Sequence, residues 1–152
     1  MMKRKIDEVN IHEKHYDQIH RQVKNDPYAR SLGIELTKFR AGLAEAVLEV
    51  QSHMVNAYGT VHGAVIYALA DHAFSAACNA YGKTSLGLTT TIQFIESAKP
   101  GDKITARAKE EKRNFRTGFY RIDILHGENL IATMDAVSYR KNHYFIELDE
   151  HV

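Results

Sequence analysis

The chain has 152 residues with a formal net charge of +1, and 44% of its residues are hydrophobic. That length suits one domain around one core, and the near-neutral balance argues against nucleic acid or an acidic lipid surface as a partner. Cys78 is the one cysteine, so no internal disulfide forms, which fits a reducing cytoplasm. No apolar run reaches the roughly 20 residues that a membrane span needs. Met1-Met2-Lys3-Arg4-Lys5 resembles the basic start of an export signal, but a polar stretch from Ile6 to His15 follows it, so export is not expected.

Residues 6–25 are polar, with Ile6, Val9, Ile19 and Val23 at loosely helical spacing. They predict one peripheral helix, stopped by Asn25-Asp26-Pro27. Ala44, Ala46, Leu48 and Val50 then alternate with Glu45, Val47 and Glu49, a strand pattern. Phe39-Arg40-Ala41-Gly42 reads as a turn just before it, so residues 33–50 make a hairpin or a kinked first strand. Residues 52–60 are a loop. Alanine at 64, 68, 70, 73, 76, 77 and 80 predicts a long helix over residues 62–80, with Gly82 as its stop. So many alanines predict close approach to other backbone, as when a sheet wraps around a helix. Four strands follow near 85–97, 102–112, 117–126 and 130–140, rich in Thr, Ile, Phe, Val and Tyr. Turns fall at Pro100-Gly101-Asp102 and His126-Gly127-Glu128-Asn129. A first strand, a long helix and a four-stranded antiparallel meander make an α+β layer with one helix covering the sheet. The division is a peripheral helix at 1–26, a domain at 27–141 and a tail at 142–152.

The long helix begins at His62-Gly63, after a polar loop that starts at Asn56, and its only early charge is Asp71. A helix start offers free N–H groups and a positive dipole end to an anion or a developing oxyanion. A carboxylate buried in so apolar a helix costs energy unless something uses it; the competing reading is an aspartate facing solvent beside His72. Together the two features point to acyl chemistry. Gly63 and Asp71 lie about 12 Å apart along one helix, too far for one carbonyl to meet both. A site that uses both therefore pairs Gly63 of one chain with Asp71 of another. This predicts an obligate homodimer, with a homotetramer built from it as a dimer of dimers.

The same residues carry a family resemblance. His62-Gly63 at the helix start with Asp71 nine residues after the histidine, together with Asp26–Ile34, Leu69–Phe74, Ala77-Cys78-Asn79, Thr91–Phe94 and Arg116–Tyr120, resembles the hotdog-fold acyl-CoA thioesterases of the phenylacetic-acid-degradation (PaaI) type. The resemblance runs from about Asn25 to Lys141. One departure is visible: the family's usual His-Gly-Gly is His62-Gly63-Ala64 here. The resemblance implies a hotdog fold, a long central helix wrapped by an antiparallel sheet, with an extra N-terminal helix. It also implies two active sites per dimer, each at the subunit interface.

Thioester hydrolysis needs a polarised carbonyl, an activated water or nucleophile, and an exit for the thiol. Gly63 N–H suits the oxyanion. Asp71 suits a general base, or a nucleophile that forms an anhydride. The resemblance gives Asn56 the task of positioning water or carbonyl, His62 that of supporting the loop or substrate oxygen, and Thr89 that of orienting the water. Coenzyme A carries three phosphate groups, and Lys109, Lys112, Arg113 and Arg116 cluster where two strands meet, with Lys83 after the helix. Arg113, Arg116 and Lys83 are the candidates for those phosphates, and Tyr67 and Phe74 for lining the acyl pocket.

Other motifs fail on spacing. His12-Glu13-Lys14-His15 has one residue too few between its histidines for the zinc-protease face. Ser75 lacks the Gly-x-Ser-x-Gly context of a serine hydrolase, and Cys78 reads as a small core residue. The expected function is hydrolysis of an aryl- or medium-chain acyl-CoA to free acid and CoA in the cytoplasm, with no metal and no redox cofactor. The alternatives are a non-catalytic acyl-CoA-binding sensor and a hotdog enoyl-CoA hydratase or dehydratase.

Overall fold

The computed structural model describes residues 6–149; the basic Met1–Lys5 segment and the last three residues of the expected tail lie outside the described residues. Three short helices come first: α1 (Glu8–Lys14), α2 (Tyr16–Lys24) and α3 (Pro27–Ser31). The expected single helix is broken at His15, which leaves helical backbone (φ −110°, ψ 20°). The break lets both segments bury a face. Ile11 and His12 are buried on α1 and Ile19 on α2, and His12 Nδ1–H donates to the Ala80 carbonyl at 2.6 Å. Asp26-Pro27 is a start as well as a stop. Asp26 caps α3 by accepting from Ala29 N–H at 2.9 Å, with Pro27 in the first turn.

The hairpin β1 (Glu35–Arg40) and β2 (Leu43–Glu49) is followed by a 3-10 turn at Ser52–Met54 and a loop. Then come the long helix α4 (Gly63–Cys78) and strands β3 (Lys83–Phe94), β4 (Lys103–Arg113), β5 (Thr117–His126) and β6 (Asn129–Tyr144). All six strands form one antiparallel sheet in the order β1-β2-β4-β5-β6-β3. The four-stranded meander is thus corrected to three strands, β4-β5-β6, because β3 crosses to the far edge and pairs with β6. β6 also runs on to Tyr144, into the expected tail.

α4 lies across the sheet and buries nearly its whole circumference. Ala70, Ala73, Ala76 and Ala77 on the helix are fully buried, as are Ala44, Ala46 and Ala106 on β2 and β4. Small side chains on both surfaces let helix and sheet approach closely, and Leu69, Ile104, Ile122, Ile124 and Met134 fill the rest. The helix ends earlier than Gly82. Asn79 caps it, its Nδ2 donating to the Ser75 carbonyl at 2.9 Å and its Oδ1 accepting from Ser85 N–H at 2.9 Å. Gly82 (φ +71°) instead makes the turn into β3, where a Cβ would stand 2.6 Å from Ile146. Among the described residues no helix is long and apolar enough to cross a membrane.

Candidate active site

The start of α4 is organised around one open amide. His62 is the N-cap residue, with extended backbone (φ −68°, ψ 136°), and Ala64 N–H donates to its Nδ1 at 3.1 Å. Val65 and Ile66 N–H both donate to the His62 carbonyl, at 2.9 and 3.3 Å. Gly63 N–H has no acceptor among the described residues. Gly63 lines a cavity of about 300 Å³ with Asn56, Thr60, Ile66, Phe94 and Ile95. The missing side chain matters here: a Cβ on Gly63 would lie 3.3 Å from the edge of the Phe94 ring. Ala64 is exposed and has ordinary helical backbone, so the departure from His-Gly-Gly costs nothing.

Asn56 holds the loop in place. Its Oδ1 accepts from Tyr58 N–H at 2.9 Å and Thr60 N–H at 3.3 Å, while its Nδ2 donates to Thr60 Oγ1 at 3.0 Å. One Nδ2 hydrogen is left over on the wall of the Gly63 cavity.

Asp71 lies outside that cavity. It is exposed in the single chain and makes no hydrogen bond or ion pair among the described residues. Crowding by the surrounding protein raises its carboxyl above the usual aspartate range, the nearby Asp26 charge adds to the rise, and His72 opposes it. An unpaired carboxylate with a raised pKa is suited to accept a proton. Within one chain the structure does not bring Gly63 and Asp71 together.

The remaining candidates divide. Thr90, rather than Thr89, faces α4, and its hydroxyl shares a 2.9 Å hydrogen bond with the Tyr67 hydroxyl. Thr89 is exposed beside a bulge in β3. Phe74 is 1% exposed and packs edge-on to Tyr120, 5.4 Å between centroids, so it is a core residue. Arg113 is paired with two carboxylates: Nε donates to Glu8 at 2.9 Å and Nη1 to Glu110 at 2.8 Å. Lys83 and Arg116 do come together, 4.4 and 5.8 Å from the Phe115 ring centroid. Lys83 is buried, and burial followed by the Arg140 charge lowers its pKa. Arg116 is exposed, and its Nη1 donates to the Tyr139 hydroxyl at 3.2 Å. Sequence reasoning missed the wall from Phe94 to Ser97, although Phe94 ends one of the matching segments. It also missed the pair formed by His72 and Asp26, which no local pattern announces.

Comparison with known proteins fits this geometry. The family model described as Thioesterase superfamily matches residues 58–133, which include the α4 start and Asp71. The acyl-coenzyme A thioesterase PaaI of Escherichia coli K12 is 33% identical over 113 residues, 74% of this chain and 81% of that protein. A putative esterase of Archaeoglobus fulgidus is 32% identical over 123 residues, 80% of each chain. The structure of the E. coli PaaI protein, from the phenylacetic acid degradation operon, superposes with a TM-score of 0.83 at 30% identity, covering 88% of this chain and 98% of that one. The chain therefore belongs to the thioesterase superfamily, as a hotdog-fold thioester hydrolase of the PaaI type.

Proposed function

We propose that the protein hydrolyses an aryl- or medium-chain acyl-CoA to the free acid and coenzyme A, in the cytoplasm, without a metal or redox cofactor. One observation carries the reading: Gly63 N–H is open at a capped helix start, and Gly63 lines a cavity of about 300 Å³. In the general-base form, Asp71 takes a proton from water as the water oxygen bonds to the thioester carbon. Gly63 N–H donates to the resulting oxyanion. The C–S bond then breaks, and the thiolate recovers the proton from Asp71. In the nucleophilic form, an Asp71 oxygen bonds to that carbon, the thiolate leaves, and water cleaves the anhydride. Both forms need the carboxylate beside the oxyanion donor, so both need a second copy of the chain.

The surface supports that second copy. β3 is an edge strand, and Leu86, Leu88, Phe94 and Ile95 on it or just beyond it are 51%, 63%, 53% and 53% exposed. A long apolar edge with open N–H and C=O groups is a template for strand pairing. Its far end, at Phe94, lies against Gly63. We assign this edge to a homodimer, and the homotetramer to a pairing of such dimers. Arg116 is the exposed cation left for a coenzyme A phosphate once Arg113 is engaged. Tyr67 remains as the half-buried aromatic for the acyl group, and the operon of the E. coli relative favours an arylacetyl group.

A thiol-release assay over phenylacetyl-, hydroxybenzoyl-, short-, medium- and long-chain acyl-CoAs, with Asp71→Asn as control, tests the reading. Turnover is expected to fall by at least about a hundredfold in the variant with KM little changed, as for loss of an acid–base group. Tight binding without thiol release would replace the enzyme with a sensor. Water added across an enoyl bond with the thioester intact would replace it with a hydratase.

A further inference from the structure

Away from the Gly63 cavity, the end of α2, the helix α3 and the start of β1 enclose a cleft of about 760 Å³ whose lining includes Arg21, Lys24, Arg30, Glu35 and His72. We propose that this cleft binds a nucleotide-sized phosphate ester through Arg21, Lys24 and Arg30. The three cations have no carboxylate partner among the described residues, whereas Arg107, Arg113, Arg121 and Arg140 each have one. Arg21 and Lys24 sit in the last turn of α2, where the helix dipole alone favours cations. Arg30 sits in the last turn of α3, so the same preference holds for it; what sets the three apart is that two helices bring them to one cleft. Arg30 Nη1 donates to Asn25 Oδ1 at 3.0 Å, which leaves the remaining guanidinium donors for another acceptor.

The other lining groups agree. His72, 6% exposed, contributes to the lining; its Nδ1 is enclosed without a hydrogen-bond partner, and Asp26 Oδ2 lies 3.8 Å away. Glu35 is the one carboxylate on the lining, so positive charge dominates. A cleft of this size is far larger than one inorganic ion needs and matches the range of small-molecule sites. Two guanidinium forks and an ammonium suit phosphate oxygens better than a single carboxylate. The cleft is separate from the Lys83–Arg116 pair, and the proposal stands whether or not the chain turns over acyl-CoA.

The test is calorimetric titration of the full chain with adenosine 3′,5′-bisphosphate, and with inorganic pyrophosphate as a smaller probe. Saturable binding is expected, weakened by at least about tenfold in Arg21→Ala/Arg30→Ala. Arg107→Ala/Arg121→Ala removes the same charge from the exposed sheet surface and is expected to change affinity by less than about twofold. Competition separates two sources of the same chemistry. Displacement by coenzyme A assigns the cleft to the nucleotide end of a coenzyme A ester; retention at saturating coenzyme A assigns it to a separate phosphate ligand. Both outcomes need the cleft and uphold the proposal. No saturable binding, or equal weakening in the two double variants, overturns it, because diffuse attraction then explains the cations.

Discussion

At Gly63 one atom can be removed almost alone. Proline is tolerated at the first position of a helix, where its missing N–H has no intrahelical partner anyway. His62 already holds the extended backbone that precedes a proline. Gly63→Pro therefore deletes the proposed oxyanion donor and leaves α4 intact. Gly63→Ala keeps the donor but introduces the same Cβ contact with Phe94, at 3.3 Å. If the N–H stabilises the oxyanion, proline lowers kcat by about a hundred- to a thousandfold relative to alanine, the usual cost of one such donor. Equal kcat for the two variants would move the oxyanion elsewhere. Gly63 and Asp71 were legible as candidates because a glycine at a helix start and a lone charge in an apolar helix are local signals. Arg113 was not legible. Its partners Glu8 and Glu110 lie 105 and 3 residues away, and only the fold shows that its charge is already used.

The N-terminal helix α1 is an element whose place the sequence left open. Its Glu8 accepts from Arg113 Nε and from Arg140 Nη2, so the helix is pinned to the end of the sheet by two guanidinium groups. Burial alone would raise the Glu8 carboxyl, but hydrogen bonds and charge from Arg140 and then Arg113 outweigh it and lower the pKa below 4.5. A depressed carboxylate stabilises the fold above its unfolded pKa, and that contribution is lost as pH falls through the folded value. Removing the partner of a buried charge is costly, and the Arg140 side chain is only 3% exposed. Glu8→Gln should cost about 2 kcal/mol at pH 7, less than for a fully buried pair because Glu8 itself keeps some solvent. That is a fall in Tm of roughly 4–8 °C for a chain of this length. The gap between variant and parent should narrow as pH drops below 4.5, the ordinary value for this carboxyl. A gap that is constant with pH would mean that the pinning does not depend on the Glu8 charge. The place of β3 was not legible for a similar reason. Its twelve residues have the composition of any strand, and nothing local says which edge a strand joins. The β5–β6 turn at Gly127 was legible because a glycine at φ +59° is a local requirement.

For the whole molecule the question is how the two halves of the site meet. One protomer offers Gly63 on its cavity wall and Asp71 about 12 Å further along the same helix. The fold supplies an apolar edge in β3 whose end touches Gly63 through Phe94. Two-fold pairing of such edges repeats every contact and so makes two equivalent sites. If each site takes Gly63 from one chain and Asp71 from the other, complementary variants rescue one another. A hybrid of Asp71→Asn with Gly63→Pro holds one site with both lesions and one with neither. After free exchange of an equal mixture, half the dimers are hybrids with half their sites intact, so about a quarter of the parent activity returns. Each variant alone stays inactive. Leu88→Lys, placed on the exposed β3 edge, should give a folded monomer that neither turns over nor takes part in rescue. Failure of the mixture to recover activity, with exchange verified by tagged chains, would confine each site to one protomer. The oxyanion donor would then have to be an amide nearer to Asp71 than Gly63.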